Sequence, residues 1–331
     1  MLHLREILTP TPGDDDVLVC VRAASVHADV WHAVTGRPYV LRLMGGGFFK
    51  PKVTVPGTDV AGHVASVGKN VTAFRPGDEV FGESIRGIQW SNGGGFAEYA
   101  LVPQIALVLK PPGLSFAQAA AVPTSGLIAL TNLQGQRTLR TGQRVLINGA
   151  GGGVGSIVVQ LAKAAGAHVT AVDSSGKLAM IRTLGADHVI DYTTEDFSRR
   201  GERYDLIFDV ASNLSLADCR RALTPQGIYV FIGHDHYGAA SGRWLGSIPR
   251  FLKLLLISPF VRHLPGEMTF SAPPKDTSLA LLRDLLATGK LTPVIDQVFP
   301  LSDVPAALTY LQSGKACGRI IVTPSPDDRV G

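Results

Sequence analysis

Residues 145–155 read VLINGAGGGVG, and the fold is decided in this stretch. Arg144–Asn148 reads as a strand with an apolar centre of the kind a buried strand needs, and the glycines after it permit a tight turn. Val154–Ala165 then places apolar residues at helical spacing, and Gly166 supplies the stop. Strand, turn and helix start together make a cradle for phosphate: backbone N–H groups face the ligand at the positive helix end, with no Cβ in the way. Ala150, Gly151, Gly152, Gly153, Val154 and Gly155 span the G-x-G-x-x-G spacing, with Ala150 in the first position and Gly152 and Gly155 in the second and third. Asp173 ends the next apolar run, eighteen residues past Gly155, where a carboxylate can accept hydrogen bonds from the adenosine ribose and favours NAD. Ser174 and Lys177 stand just beyond it and could hold a 2′-phosphate instead, so NAD and NADP both stay open on the residues alone.

The alternation continues downstream. Residues 168–172 read as strand, 177–184 as a helix ending at Gly185, and 188–190, 205–210 and 228–232 as further strands with helices between them. Strand–helix alternation of this length makes a parallel, doubly wound sheet. Upstream, 17–22, 60–67, 79–82 and 96–102 are short strand patterns separated by turns such as Gly68-Lys69-Asn70 and Arg75-Pro76-Gly77-Asp78, the signature of a small barrel. The pattern changes near residue 116, where Ser115 is placed to cap an Ala-rich helix over 116–122. The tail reads as helix 279–287, strand 294–299, helix 303–311 and strand 319–322, and is expected to rejoin the first domain. The expected fold is therefore α/β: a β-barrel domain from 1–115 and 273–331, and a Rossmann doubly wound domain over 116–272.

Composition narrows the function. A chain of 331 residues with 45% hydrophobic content supports about two cored domains. The net charge of +4 comes from scattered Lys and Arg, with no run that reads as a nucleic-acid or membrane patch. Cys20, Cys219 and Cys317 are far apart and form no CxxC pair, which argues against a disulfide framework or a cysteine-rich zinc lobe. The opening MLHLREILTPTPGDDD has no apolar signal region, and no stretch approaches a membrane span, so a cytoplasmic protein without stable membrane insertion is expected.

The segment INGAGGGVGSIVVQLAKAAGAHVTAVDSSGKLAMIRTLGADHVIDY resembles the medium-chain dehydrogenase/reductase superfamily, in its zinc-independent quinone-oxidoreductase (zeta-crystallin-like) branch. ASVHADVW, VPGTDVAGHVASVG, FRPGDEVFG, GGGFAEYA, AAAVPTSGLIAL and GKACGRIIV match collinearly, so the likeness covers nearly the whole chain. It implies a GroES-like catalytic domain formed by both chain ends, an inserted Rossmann domain, the nicotinamide bound in the cleft between the two, and a homodimer. It also implies a strand and hairpin before the position of Leu2, which this sequence does not show; a misassigned start and a barrel that tolerates an open edge are the two readings of this departure. Zinc-dependent relatives carry a Cys three residues before an early Asp, where counting back from Asp29 gives Val26, and a Gly-His-Glu where this chain has Gly57-Thr58-Asp59. No thiolate or imidazole stands at either place, so no metal is expected. By the same resemblance Thr124 lies near the nicotinamide and Ala150 to Gly155 form the pyrophosphate loop. Lys177 and Tyr192 match 2′-phosphate positions of NADPH-dependent quinone reductases, while Asp173 departs from them, so NADP is favoured only slightly over NAD. Ala211 and Gly233 approach the cofactor through their backbones, and Lys315 and Gly318 lie in a segment that closes on it.

Without a metal to polarise an alcohol oxygen, hydride delivery to a quinone or an α,β-unsaturated carbonyl is the easier chemistry, because the conjugated oxygen delocalises the charge that develops. The protein then supplies orientation and one or two hydrogen-bond donors. His27, His32 and Tyr39 are the candidate donors or proton relays, with packing roles as the alternative for each. A metal-free alcohol or aldehyde oxidoreductase and a dinucleotide-binding sensor with little turnover are the competing readings. Residues 245–264, LGSIPRFLKLLLISPFVRHL, read either as an amphipathic element that touches membrane or, preferred, as a lid or dimer-contact element, with Pro249 and Pro259 breaking any long helix.

Overall fold

Asp16–Val26 forms β1, an eleven-residue strand buried over most of its length on both faces. It is followed by α1 (Ala28–Thr35), β2 (Asp59–Val67), β3 (Glu79–Glu83), β4 (Tyr99–Pro103), β5 (Leu107–Leu109), α2 (Phe116–Ala120) and α3 (Pro123–Asn132). Ser115 caps α2 as expected, in a reciprocal box: its hydroxyl accepts from Gln118 N at 3.2 Å while the Gln118 side chain accepts from Ser115 N at 2.9 Å. The sequence reading did not foresee α1. His27 starts it and Gly36, in the left-handed region at φ +60°, ends it. The structure is a computed structural model that describes residues 2–43, 54–85, 93–134, 137–213, 215–232, 244–246, 248–265 and 273–324.

The next elements are β6 (Arg144–Asn148), α4 (Gly153–Ala164), β7 (His168–Asp173), α5 (Leu178–Thr183), β8 (His188–Asp191), β9 (Tyr204–Asp209), α6 (Leu216–Ala222), β10 (Leu223–Phe231) and α7 (Ile248–Ile257). The five strands pair parallel in the order β8-β7-β6-β9-β10. Leu146, Ile147, Leu206, Ile207 and Phe208 are fully buried, as strands covered on both faces by crossover helices require. The order reverses between β6 and β9, and in open α/β sheets ligands bind outside the carboxyl ends of the strands at such a switch point. The far side of β10 is not bare: Tyr229 N donates to His263 O at 2.7 Å.

The chain closes with α8 (Lys275–Ala287), β11 (Ile295–Pro300), α9 (Val304–Gln312) and β12 (Arg319–Thr323). β12 pairs with the end of β1, through Ala24, Ser25 and Val26, while β4 pairs with its beginning, so one long strand serves two neighbours on the same edge. The resulting seven-stranded sheet runs β11-β12-β1-β2-β3-β5, with β4 on β1. Two compact units result: Met1–Leu127 with Pro274–Gly331, and Ile128–Pro273. The first boundary falls inside α3 rather than at the composition change near residue 116, because the first turns of this helix pack on the β-rich unit. Gly126 shows the closeness: a Cβ there would stand 2.5 Å from Leu282 Cδ1 of α8.

Candidate functional site

In the Rossmann unit, β6 delivers the glycine loop to the switch point. Gly149 has φ +84°, and a Cβ on Gly155 would lie 2.1 Å from Gly149 O, so the third glycine is needed for the turn to close on its own helix. Gly152 is different. Its φ is −88°, and a Cβ there would meet nothing nearer than Gly149 O at 3.8 Å. The protein itself does not demand glycine at this position, so the open space is available to a ligand. Gly152 is the N-cap of α4, and no side chain caps this helix. Its positive end therefore opens on the loop with no side-chain cap of its own.

Asp173, 7% exposed, ends β7 beside that loop. Its Oδ2 accepts from Gly151 N at 2.7 Å and its Oδ1 from Ser174 N at 2.8 Å. Lys177 Nζ stands 3.5 Å from Oδ1. Tyr192 is 54% exposed, and its N–H donates to Asp173 O at 3.2 Å. Asp173, Ser174, Lys177, Tyr192 and the loop Ala150–Gly155 are thus brought together at one corner of the sheet. Ala211 follows β9 and donates from its N–H to Asn148 O at 3.3 Å, at the end of β6. Gly233 lies outside the described residues.

The same sheet end holds a polar network that sequence reasoning missed. Asp209, fully buried, accepts from Asn148 Nδ2 (2.8 Å), Ser212 N (2.7 Å) and the Tyr229 hydroxyl (2.8 Å). Burial pushes its carboxyl above the ordinary range despite these donors. Burial and the nearby Asp209 likewise push the Tyr229 phenol up, and raise the Cys219 thiol to about 12, which makes Cys219 an inert core residue. Ser212 holds φ +54°, a left-handed backbone in a residue other than glycine. Arg250 of α7 donates to its carbonyl.

In the β-rich unit, register makes a second site. Ser25, Asp59 and Glu83 are cross-strand partners on β1, β2 and β3, so their side chains share one face. Thr124, in the first turn of α3, closes the row. Asp59 Oδ1 accepts from Thr124 N (3.0 Å) and Thr124 Oγ1 (2.5 Å), and Oδ2 accepts from Ser25 Oγ (2.6 Å). Arg319 Nη2 of β12 lies 3.6 Å from Asp59 Oδ2. Thr124 Oγ1 is also 3.0 Å from Glu83 Oε1, and Glu83 Oε2 meets Lys275 Nζ at 2.6 Å. Burial, and to a smaller extent the charge of Asp59, raise the Glu83 carboxyl, with Lys275 opposing. A threonine hydroxyl has one proton. It can therefore donate to only one of the two carboxyls at a time. Asp59 and Arg319 stood inside GTDVAG and GKACGRIIV; only the cross-strand register shows what they face.

His27, His32 and Tyr39 gather around α1. His27 Nδ1 accepts from Asp29 N at 3.2 Å and so caps the helix. His32 Nδ1 lies 2.6 Å from Arg37 O, which places its proton on Nδ1, because a carbonyl can only accept. Arg42 sits 4.8 Å over the Tyr39 ring. Lys315 is exposed on the approach to β12. Gly318 is held at φ +93°, with Val294 O 2.5 Å from where its Cβ would be, so packing alone accounts for that glycine. Among the described residues no group of three or more His, Cys, Asp or Glu side chains is placed to hold a metal.

Residues 13–112 match the alcohol dehydrogenase GroES-like domain family, and residues 184–322 match the zinc-binding dehydrogenase family. The quinone-oxidoreductase QR1 of Triphysaria versicolor, chloroplastic, is 32% identical over 96% of this chain and 93% of its own. The chain belongs to the medium-chain dehydrogenase/reductase superfamily. The 2-methylene-furan-3-one reductase of Solanum lycopersicum is 34% identical over 97% of this chain and 74% of its own. Among solved structures, the quinone oxidoreductase from Coxiella burnetii superposes with a TM-score of 0.79 at 26% identity, over 96% of this chain and 93% of that one. The GroES-like and Rossmann domains expected from the sequence are those of this superfamily.

Proposed function

We propose that this superfamily member is a zinc-independent NAD(P)H-dependent reductase of quinones or α,β-unsaturated carbonyl compounds. The observation that carries the nucleotide half is the loop at the switch point: Gly152 is open where the protein has no use for the space, beside an uncapped helix start and a carboxylate. Loop N–H groups would hold the pyrophosphate, and Asp173 with Lys177 the adenosine ribose. Lys177 supports a small preference for NADPH, and Asp173 keeps NADH usable. The bound nucleotide supplies a hydride.

The acceptor class rests on chemistry and kinship. Relatives bear the names quinone-oxidoreductase and 2-methylene-furan-3-one reductase, and both names specify a conjugated carbonyl. Val26 and Thr58, both buried, stand where zinc-dependent relatives need a thiolate and an imidazole, so this donor set does not fit zinc. The β-rich unit offers instead the buried Thr124 hydroxyl between Asp59 and Glu83, and imidazoles fixed by α1. A homodimer in the cytoplasm is proposed alongside; three free cysteines support a reducing compartment.

The test follows the absorbance of NADPH and NADH with a quinone, an enal and a simple aldehyde as acceptors. Rapid loss with the first two and little with the aldehyde is expected. Tight nucleotide binding without turnover of any acceptor would sink the reading in favour of a sensor.

A further inference from the structure

The segment 244–265 presents an unusual surface. Its exposed side chains among the described residues are Trp244, Leu245, Pro249, Leu252, Lys253, Leu256, Pro259, Phe260 and Arg262: each is apolar or cationic, and none is acidic or neutral-polar. The sequence has no carboxylate from 236 to 266. Leu256 is 73% exposed, Phe260 87% and Trp244 74%, far beyond a scatter of single surface leucines. Pro249, Leu252, Lys253 and Leu256 fall at helical spacing on one face of α7, and Phe260 continues past its end.

The opposite face is fixed. Leu254 is buried in a core cluster with Leu223, Tyr229 and Leu264. Arg250 donates to Ser212 O and lies 5.1 Å over the Phe231 ring. The exposed leucines are therefore held outward by a docked helix.

We propose that this face docks peripherally on an anionic lipid bilayer surface. Charge decides between that and a second copy. A two-fold contact uses the same patch on both copies, so Lys253 and Arg262 of each would face a segment that holds no carboxylate to pair them. Lysine is also depleted from the core of protein interfaces, and Lys253 stands between Leu252 and Leu256. On a bilayer the same residues agree. Leu252, Leu256 and Phe260 enter the headgroup boundary, Trp244 suits that interface, and the two cations reach lipid phosphates by extending their side chains.

The test sediments the full-length protein with phosphatidylcholine vesicles and with vesicles part-substituted by phosphatidylserine. Each cation near an anionic surface strengthens binding about fivefold, so partitioning should rise by roughly 25-fold on the anionic vesicles and fall with added salt. Lys253→Glu and Leu256→Asp should each lower it by tenfold or more. Both should leave turnover in vesicle-free solution unchanged. Lack of sedimentation with either vesicle, or equal sedimentation with both, overturns the proposal. So does a Leu256→Asp protein that loses its oligomeric state in lipid-free ultracentrifugation, since the face would then lie between copies.

Discussion

Gly152→Ala and Gly155→Ala change the same atom three residues apart and should fail in different ways. At Gly152 the backbone is in an ordinary region, and the new methyl meets only Gly149 O at 3.8 Å, an ordinary contact. Alanine is a poorer N-cap than glycine by something under ~1 kcal/mol, and part of this is returned by a less flexible unfolded chain. The folded protein should keep its thermal midpoint within a few degrees, about what a change of that size produces. Its nucleotide affinity should fall about 10- to 100-fold, because the methyl occupies the space a pyrophosphate must approach, and overpacking costs about 1–3 kcal/mol. At Gly155 the methyl would stand 2.1 Å from Gly149 O and 2.7 Å from Ala150 Cα, with backbone on both sides. Relief requires the loop to move, so this variant should lose stability and binding together. Calorimetric unfolding and titration with NADPH and NADH check both. A Gly152→Ala protein that binds nucleotide like the parent would refute the placement of phosphate at this loop.

Asp173→Ser should weaken NADH about 10- to 100-fold, the worth of charge-assisted hydrogen bonds at about 1.5–3 kcal/mol, while NADPH gains from a Lys177 released from its 3.5 Å partner. The kcat/KM ratio of the two coenzymes reads this, and an unchanged ratio removes Asp173 from the specificity argument. Asp209→Asn tests the buried network by pH. The folded pKa of Asp209 lies above the ordinary value of about 3.9, so its contribution to stability is whole below that value and is lost as pH rises through the raised one. Asp187 and Glu202, held below their ordinary values, slope the other way and are common to both proteins. The variant should therefore gain on the parent as pH rises above about 4 in denaturant unfolding, and parallel curves would contradict the assignment.

Much of the fold was legible because its signals are local. Two kinds of element escaped. α1 is short and is set by His27 at one end and Gly36 at the other, caps that do not stand out in a run containing a second histidine and a proline. The extent of α3 within the β-rich unit depends on packing such as that of Gly126 on Leu282, which has no local signature. The site divides in the same manner. The glycine loop, Asp173 and Lys177 belong to one continuous stretch, and the structure brings them to one corner. Glu83, Lys275, Tyr229 and Arg250 carry no motif at all.

The sequence by itself determined the Rossmann unit and its loop, since a buried strand, a glycine turn and a helix start specify a phosphate cradle through backbone sterics alone. Only the tertiary structure decided which carboxyls face one another. Ser25, Asp59 and Glu83 meet because β1, β2 and β3 are in register, Thr124 because α3 starts over them, and Lys275 and Arg319 because the chain returns after the Rossmann unit. Burial and the facing charges set the ionisation of such a row, and both are properties of long-range pairing, which no local pattern of residues records.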